Sequence, residues 1–69
     1  MDFAERLKRV RRGRGLSQSG LAERARLPVD DVQNWEQGRR TPRLEGLVKL
    51  ARALGVSLDD LVLRKGGKR

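Results

Sequence analysis

The chain has 69 residues and a formal net charge of +8, with 17 lysine and arginine residues against 9 aspartate and glutamate residues. It contains no cysteine and no histidine, which excludes a disulfide framework, a thiolate metal site and the commonest general base. A chain of this length forms one small domain that buries roughly 60% of its unfolded surface, and no apolar run approaches the roughly 20 residues of a membrane span.

The first predicted helix follows Asp2, which can cap it, with Glu5 in the reciprocal capping position. Its apolar residues share one helical face: Phe3, Leu7 and Val10. Gly13 and Gly15 close this helix with a flexible bend.

Ser17 is the predicted N-cap of a second helix, with the sequence QSGLAERA. One face of this helix carries Leu21, Ala22 and Ala25. A third helix is predicted over residues 28–37, because proline is tolerated at a first helical position and Gly38 provides a left-handed stop. Val32 and Trp35 lie on its inner face.

Pro42 is expected to open a fourth helix, which ends at Gly55. Its broad apolar face contains Leu44, Leu47, Val48, Leu50, Ala51 and Leu54. Ser57 and Asp60 form a capping box for a last helix, whose apolar residues are Leu58, Leu61 and Val62. Residues 64–69 carry charge and glycine with nothing to bury, so this basic tail is expected to be disordered. Five helices and no strand predict an all-α domain over residues 1–63.

The charge is distributed in blocks along the chain. Residues 1–16 carry a net +4, residues 17–37 a net −2, residues 38–43 a net +3, residues 44–63 a net −1 and residues 64–69 a net +4. Basic segments therefore flank an acidic middle. This balance favours a polyanionic partner, nucleic acid before membrane, although a solvated arginine-rich surface would have the same composition.

Two short helices joined by a tight turn are typical of a helix-turn-helix. Three pieces occur in order: RGLSQSGLAERA, then V-x-x-W-E-x-G-R-R-x-P, then L-x-x-L-V-K-L-A-R-A-L-G-V-S-L-D-D-L. With these pieces the chain resembles the phage-repressor and Cro type of helix-turn-helix domain, the XRE-like family, from Phe3 to Val62. The resemblance implies a compact five-helix repressor-like fold.

The resemblance also implies a transcriptional regulator that binds duplex DNA as a homodimer on a palindromic operator, in the cytoplasm at the nucleoid, without a cofactor. Residues 28–37 would form the recognition helix in the major groove. The candidate phosphate contacts are Ser17, Gln18, Arg39, Arg40 and Arg43. The candidate base contacts on the outward side of the recognition helix are Val29, Asp30, Gln33 and Asn34.

Arg11 and Glu36 match family positions that pair across the first and third helices. Two other residues depart from the family pattern. Arg26 stands where the family usually has glycine, and a left-handed conformation there costs arginine roughly 1 kcal/mol more than glycine. Pro28 replaces a small hydroxyl residue at the start of the recognition helix, which removes a cap and a phosphate contact.

Asp30 and Asp31 are unexpected on the recognition helix of so basic a chain. Carboxylates in a first turn are favoured by the helix dipole by roughly 0.3–1 kcal/mol each, which alone explains their position. Asp30 points more nearly toward the groove, where a carboxylate can accept a hydrogen bond from cytosine N4. The same charge would repel phosphates in a poorly seated complex.

Four other classes of function differ in how well they fit the sequence. An enzyme is disfavoured because no acid–base or nucleophile arrangement exists. A protein-interaction module on the same fold, antitoxin-like or coactivator-like, is favoured by the acidic third helix, whereas the flanking arginines favour DNA. Non-specific binding through RKGGKR is a third possibility. A membrane-surface role fits poorly, because the apolar faces are needed for the core.

Overall fold

The computed structural model describes residues 2–63 of the chain. It contains four α-helices and a C-terminal π-helical turn: α1 (Phe3–Gly13), α2 (Gln18–Ala25), α3 (Val29–Glu36), α4 (Leu44–Leu54) and the turn Asp59–Leu63. No strand occurs among these residues. The predicted all-α class is confirmed. The tail expected to be disordered, residues 64–69, lies outside the described residues.

Side chains cap three of the helical segments at their N-termini. The Asp2 carboxylate accepts a hydrogen bond from the Glu5 backbone N–H (2.9 Å), and the Ser17 hydroxyl accepts one from the Gly20 N–H (2.9 Å). Ser57 does the same for the last turn. Each bond satisfies a backbone donor that the helix itself leaves unpaired.

The ends of α2, α3 and α4 are set by left-handed residues. Arg26 ends α2 with a φ of 60°, and it is the one non-glycine residue with positive φ in the described part of the chain. Gly38 (φ 77°) follows α3 and lets the Arg39 N–H reach the Asn34 carbonyl at 3.0 Å. Gly55 (φ 71°) ends α4. Glycine adopts this conformation without a Cβ clash, whereas Arg26 does so at a cost.

The core is a single apolar cluster to which every helical segment contributes. Helix α2 packs against both α3 and α4, while α1 packs against α3 and against the C-terminal turn. The largest fully buried side chains are Leu7, Leu21, Val32, Leu50, Leu54 and Leu61. These residues come from every helical segment, so the domain buries its apolar faces against one another in one cluster.

The predicted start of the fourth helix was wrong. Pro42 does not open α4, because the helix begins at Leu44 with Arg43 as its N-cap residue. Pro42 is buried instead, and a Cβ built on Gly46 would lie 3.2 Å from both the Pro42 Cβ and the Trp35 ring. Proline, glycine and tryptophan therefore pack together beneath the start of α4.

Three further boundaries or faces differ from the sequence prediction. Helix α3 covers Val29–Glu36 and not residues 28–37, because Pro28 keeps an extended ψ of 141° as the residue before the helix. Leu44 was placed on the apolar face of α4 but is 68% exposed in the first turn. Leu58, expected among the apolar residues of the last helix, is 36% exposed just before the π-helical turn.

Candidate nucleic-acid interface

A buried ion pair fixes the end of α3 to α1. The Arg11 Nε lies 2.6 Å from the Glu36 Oε2, and the Arg11 Nη2 lies 3.0 Å from the Glu36 Oε1. Both residues are buried, and the remaining Arg11 Nη1 donates to the Leu16 carbonyl at 2.8 Å. The pair predicted from the sequence is thus present as a two-point contact, which is the strongest geometry for arginine and carboxylate.

Glu36 also holds the first residue of α2. The Gln18 Nε2 donates a hydrogen bond of 3.0 Å to the Glu36 Oε1, so this one carboxylate connects α1, α2 and α3. The bond leaves the Gln18 Oε1 and one amide hydrogen for another partner. Gln18 was predicted as a phosphate contact. Its side chain is held in place by the hydrogen bond to Glu36.

A polar groove opens above this network. It has a volume of about 490 Å³ and is lined by Lys8, Arg11, Arg12, Ser17, Gln18, Glu36 and Gln37. Lys8 and Arg12 lie one turn apart on α1, and neither was singled out in the sequence as a site residue. Their i, i+4 spacing beside Arg11 was the available signal. We call these two cations and the start of α2 the α1–α2 groove.

The outer face of α3 is a polar stripe. Asp30, Gln33, Asn34 and Gln37 follow one another at i, i+3, i+4 and i+7, which places them on one side of the helix. Asp30 is exposed, and Gln33 and Asn34 are half-buried. Val29 was predicted on this outward side, but it is half-buried and packs against the core.

The position of Val29 has a simple geometric reason. It precedes Val32 by three residues and Glu36 by seven, so it belongs to the inner stripe of α3. Asp31 is half-buried and lies off both stripes. The first turn of α3 therefore presents Asp30 more fully than any other of its side chains.

The loop after α3 supplies further exposed cations. Arg39, Arg40 and Arg43 are all exposed, and Arg43 is also the residue before α4. Within residues 2–63 no group of histidine, cysteine, aspartate or glutamate side chains could hold a metal ion. In the same part of the chain no helix is long and apolar enough to cross a membrane.

The chain is similar to solved structures over nearly its whole length. The restriction-modification controller protein C.AhdI from Aeromonas hydrophila is 37% identical and has a TM-score of 0.83, with 86% of this chain and 89% of that chain covered. The P22 c2 repressor, solved in complex with the synthetic operator 9T, is 27% identical and has a TM-score of 0.84, with 97% of this chain and 98% of that chain covered.

The chain is also similar in sequence to curated transcriptional regulators. The HTH-type transcriptional regulator DdrOP3 from Deinococcus deserti is 37% identical over 62 residues, which is 90% of this chain and 48% of that protein. The chain spans from 30% to 56% of the first curated relatives that it matches. The helix-turn-helix family model matches residues 7–61. On this match and the repressor-like fold, the chain belongs to the helix-turn-helix family, XRE type.

Proposed function

We propose that this chain binds duplex DNA in a sequence-specific manner as the DNA-binding domain of a transcriptional regulator. The observation that carries the proposal is the polar stripe of α3 together with two cationic regions, the α1–α2 groove and the arginines of residues 39–43 that follow α3 in the chain. The likeness to the P22 c2 repressor, a protein solved with its operator, supports the same assignment. In this role the protein acts in the cytoplasm, at the nucleoid.

The cationic regions would hold the sugar–phosphate backbone. Ser17 and Gln18 stand at the start of α2, where free backbone N–H groups favour an anion, and Lys8 and Arg12 add positive charge beside them. Arg39, Arg40 and Arg43 would form the second set of contacts. Such contacts set the position of the protein on the duplex without selecting a sequence.

The polar stripe would select the sequence. Gln33 and Asn34 can each make two hydrogen bonds to adenine, and each good pair of this kind discriminates by roughly 1–3 kcal/mol. Asp30 can accept a hydrogen bond from cytosine N4.

We further propose that the protein binds as a homodimer on a palindromic site. One α3 helix covers only one half-site, and repressors of this kind place two recognition helices about one helical turn apart. Gel filtration and a titration with duplexes carrying one or two half-sites would measure this. A strict monomer that binds one half-site as tightly as two would contradict it.

The test of sequence specificity is selection from a random duplex pool at moderate and at higher salt. Enrichment of a palindrome that persists as salt rises supports the proposal, because the phosphate contribution falls steeply with salt. Binding without enrichment, lost at higher salt, would contradict it. That second result would favour the protein-interaction module, for which the exposed carboxylate of Asp30 is the supporting observation.

Asp30→Ala and Asp31→Ala form a matched pair in the same selection. Both remove a carboxylate from the first turn of α3, so both lose the same helix-dipole contribution. Only Asp30 lies on the polar stripe. We expect Asp30→Ala to relax a preference for C·G at one position and Asp31→Ala to leave the enriched sequence unchanged. Equal effects of the two would assign both residues to helix stability.

A further inference from the structure

A third cationic surface lies at the other end of α2 from the α1–α2 groove. It is a cleft of about 520 Å³ lined by Arg24, Ala25, Arg26, Lys49, Arg52 and Ala53. We call its four cations the α2–α4 cluster. All four are exposed, and they come from the end of α2, the turn before α3 and the outer side of α4.

The cluster has no anionic partner in the described part of the chain. Among residues 2–63 no ion pair or side-chain hydrogen bond joins any of the four cations to an acceptor, whereas the acidic residue Glu36 is used by Arg11. Like charges gathered on one surface repel one another and weaken the fold. Arg26 adds a backbone cost, since its φ of 60° is one that glycine adopts freely.

The floor of the cleft indicates the class of ligand. It consists of the methyl groups of Ala25 and Ala53, whose residues are only 5% and 8% exposed. A folded protein partner usually needs an apolar or aromatic anchor at the centre of its contact, and this surface offers none. Surfaces that bind nucleic acid are instead polar and strongly positive.

The length of α2 matches the distance between the two sugar–phosphate backbones across a major groove. Its eight residues span roughly 12 Å, and the major groove of B-DNA is about 12 Å wide. The α1–α2 groove stands at one end of this helix and the α2–α4 cluster at the other. Only Leu27 and Pro28 separate Arg26 from α3, so the cluster adjoins the half of the recognition helix that faces the bases.

We infer that the α2–α4 cluster binds the sugar–phosphate backbone of duplex DNA across the major groove from the backbone held by the α1–α2 groove. The inference rests on the proposed function, because the two surfaces would flank the major groove only with α3 placed in it. Each arginine offers a planar fork of donors that matches phosphate oxygens at two points. Bound phosphates also relieve the repulsion among the four cations.

The test compares Arg24→Gln/Arg52→Gln with Arg9→Gln/Arg14→Gln. Both double variants lose two positive charges, and the control residues are exposed and stand outside the three cationic surfaces. Because Arg14 also donates a hydrogen bond of 3.4 Å to the Gly55 carbonyl, the melting temperature of each double variant is measured beside its affinity. The measurement is duplex affinity as a function of salt, since each lost phosphate contact lowers the slope of log K against log salt by about 0.9. We expect a slope lower by roughly 2 for the cluster variant and little change for the control.

Arg26→Gly separates binding from folding. Glycine suits the left-handed turn, so this variant should melt at a higher temperature while it loses one phosphate contact and binds DNA more weakly. A damaged fold would lower both quantities together. A higher melting temperature with unchanged DNA affinity would overturn the assignment of Arg26.

The location of the contact is tested with neutral methylphosphonates placed on one strand at a time. Wild-type protein should lose affinity when either backbone of the groove is neutralised, and the cluster variant should be insensitive at one of them. Equal slopes and equal methylphosphonate effects for the cluster variant and its control would overturn the inference.

Failure of the inference is distinct from failure of the proposed function. If the random-pool selection enriches a site for every variant while the slopes of the two double variants agree, the inference fails and the function stands. If no site is enriched but the slopes differ as expected, the cluster still binds the backbone. Sequence-specific recognition is then what fails.

Discussion

At the scale of single residues, the Glu36 carboxylate contacts side chains from two other helices. Its side chain is 1% exposed, it forms the two-point ion pair with Arg11, and it fixes the Gln18 amide. A buried carboxylate of this kind is tolerated only while its partners remain, because the isolated charge is costly in a poorly solvated site. The same side chain thus serves the fold and the proposed interface.

Removing one partner of this pair should be worse than removing both. We expect Arg11→Met to lower the free energy of unfolding by about 3 kcal/mol, because Glu36 stays buried without its cation. Arg11→Met/Glu36→Leu should recover part of that loss. Urea denaturation measures both, with Arg12→Met, an exposed neighbour, as a control that changes stability by less than about 0.5 kcal/mol. A double variant less stable than Arg11→Met would contradict this account.

At the scale of helices, the starts of α3 and α4 differ from those of α1 and α2. Asp2 and Ser17 cap their helices with a side-chain hydrogen bond, whereas Pro28 and Arg43 make none. Helix α4 is positioned instead by packing, since Gly46 lies against Pro42 and the Trp35 ring. Helix α3 and the following loop are therefore oriented by tertiary contacts more than by local signals.

The packing at Gly46 predicts opposite effects for two glycine substitutions. In Gly46→Ala the new Cβ would lie 3.2 Å from Pro42 and Trp35, and such crowding costs roughly 1–3 kcal/mol against a helix preference of about 1 kcal/mol. Gly13→Ala meets nothing within 4 Å at the end of α1. Thermal unfolding should show a lower midpoint for Gly46→Ala and a higher one for Gly13→Ala. A higher midpoint for both would show that the tryptophan moves aside freely.

The sequence predicted the features that depend on short-range chemistry. The bounds of α1 and α2, the Ser17 cap and the left-handed Gly38 all follow from residues within one turn of each other. The left-handed conformation of Arg26 was expected from the family resemblance, since the family usually has glycine there. The pairing of Arg11 with Glu36 came from the family resemblance, because nothing local connects residues so far apart in the chain.

The features that were missed depend on packing between helices. Pro42 was expected at the start of a helix, but its ring is used in the core against Gly46, a contact that the sequence pattern does not contain. The link between Gln18 and Glu36 and the cleft between α2 and α4 each join separate helices. The base and phosphate contacts stay predictions.

At the scale of the whole molecule, size and charge act together. The domain measures 35 × 23 × 20 Å and the chain carries a net charge of +8. At about 0.01 M salt the screening length is roughly 30 Å, so nearly every charge acts on every other. At about 0.15 M it is roughly 8 Å, and only neighbours interact.

Salt should therefore change folding and DNA binding in opposite directions. Between about 0.01 M and 0.15 M sodium chloride we expect the free energy of unfolding to rise, because repulsion among the excess cations is screened. Over the same interval the affinity for duplex DNA should fall, because binding depends on phosphate neutralisation. Urea denaturation and fluorescence titration at each salt concentration measure the two trends. A fall in stability with salt would show that attractive surface pairs outweigh the net charge.

The uneven attachment of α3 has a consequence for how the protein meets different DNA sequences. Its last turn is fastened to α1 and α2 through Glu36, while its first turn begins at Pro28 with no capping side chain. The first turn is held by the apolar packing of Val29 and Val32 in the core. Because apolar packing has no fixed direction, a small shift of Asp30 toward a given base pair breaks no directional contact of the fold.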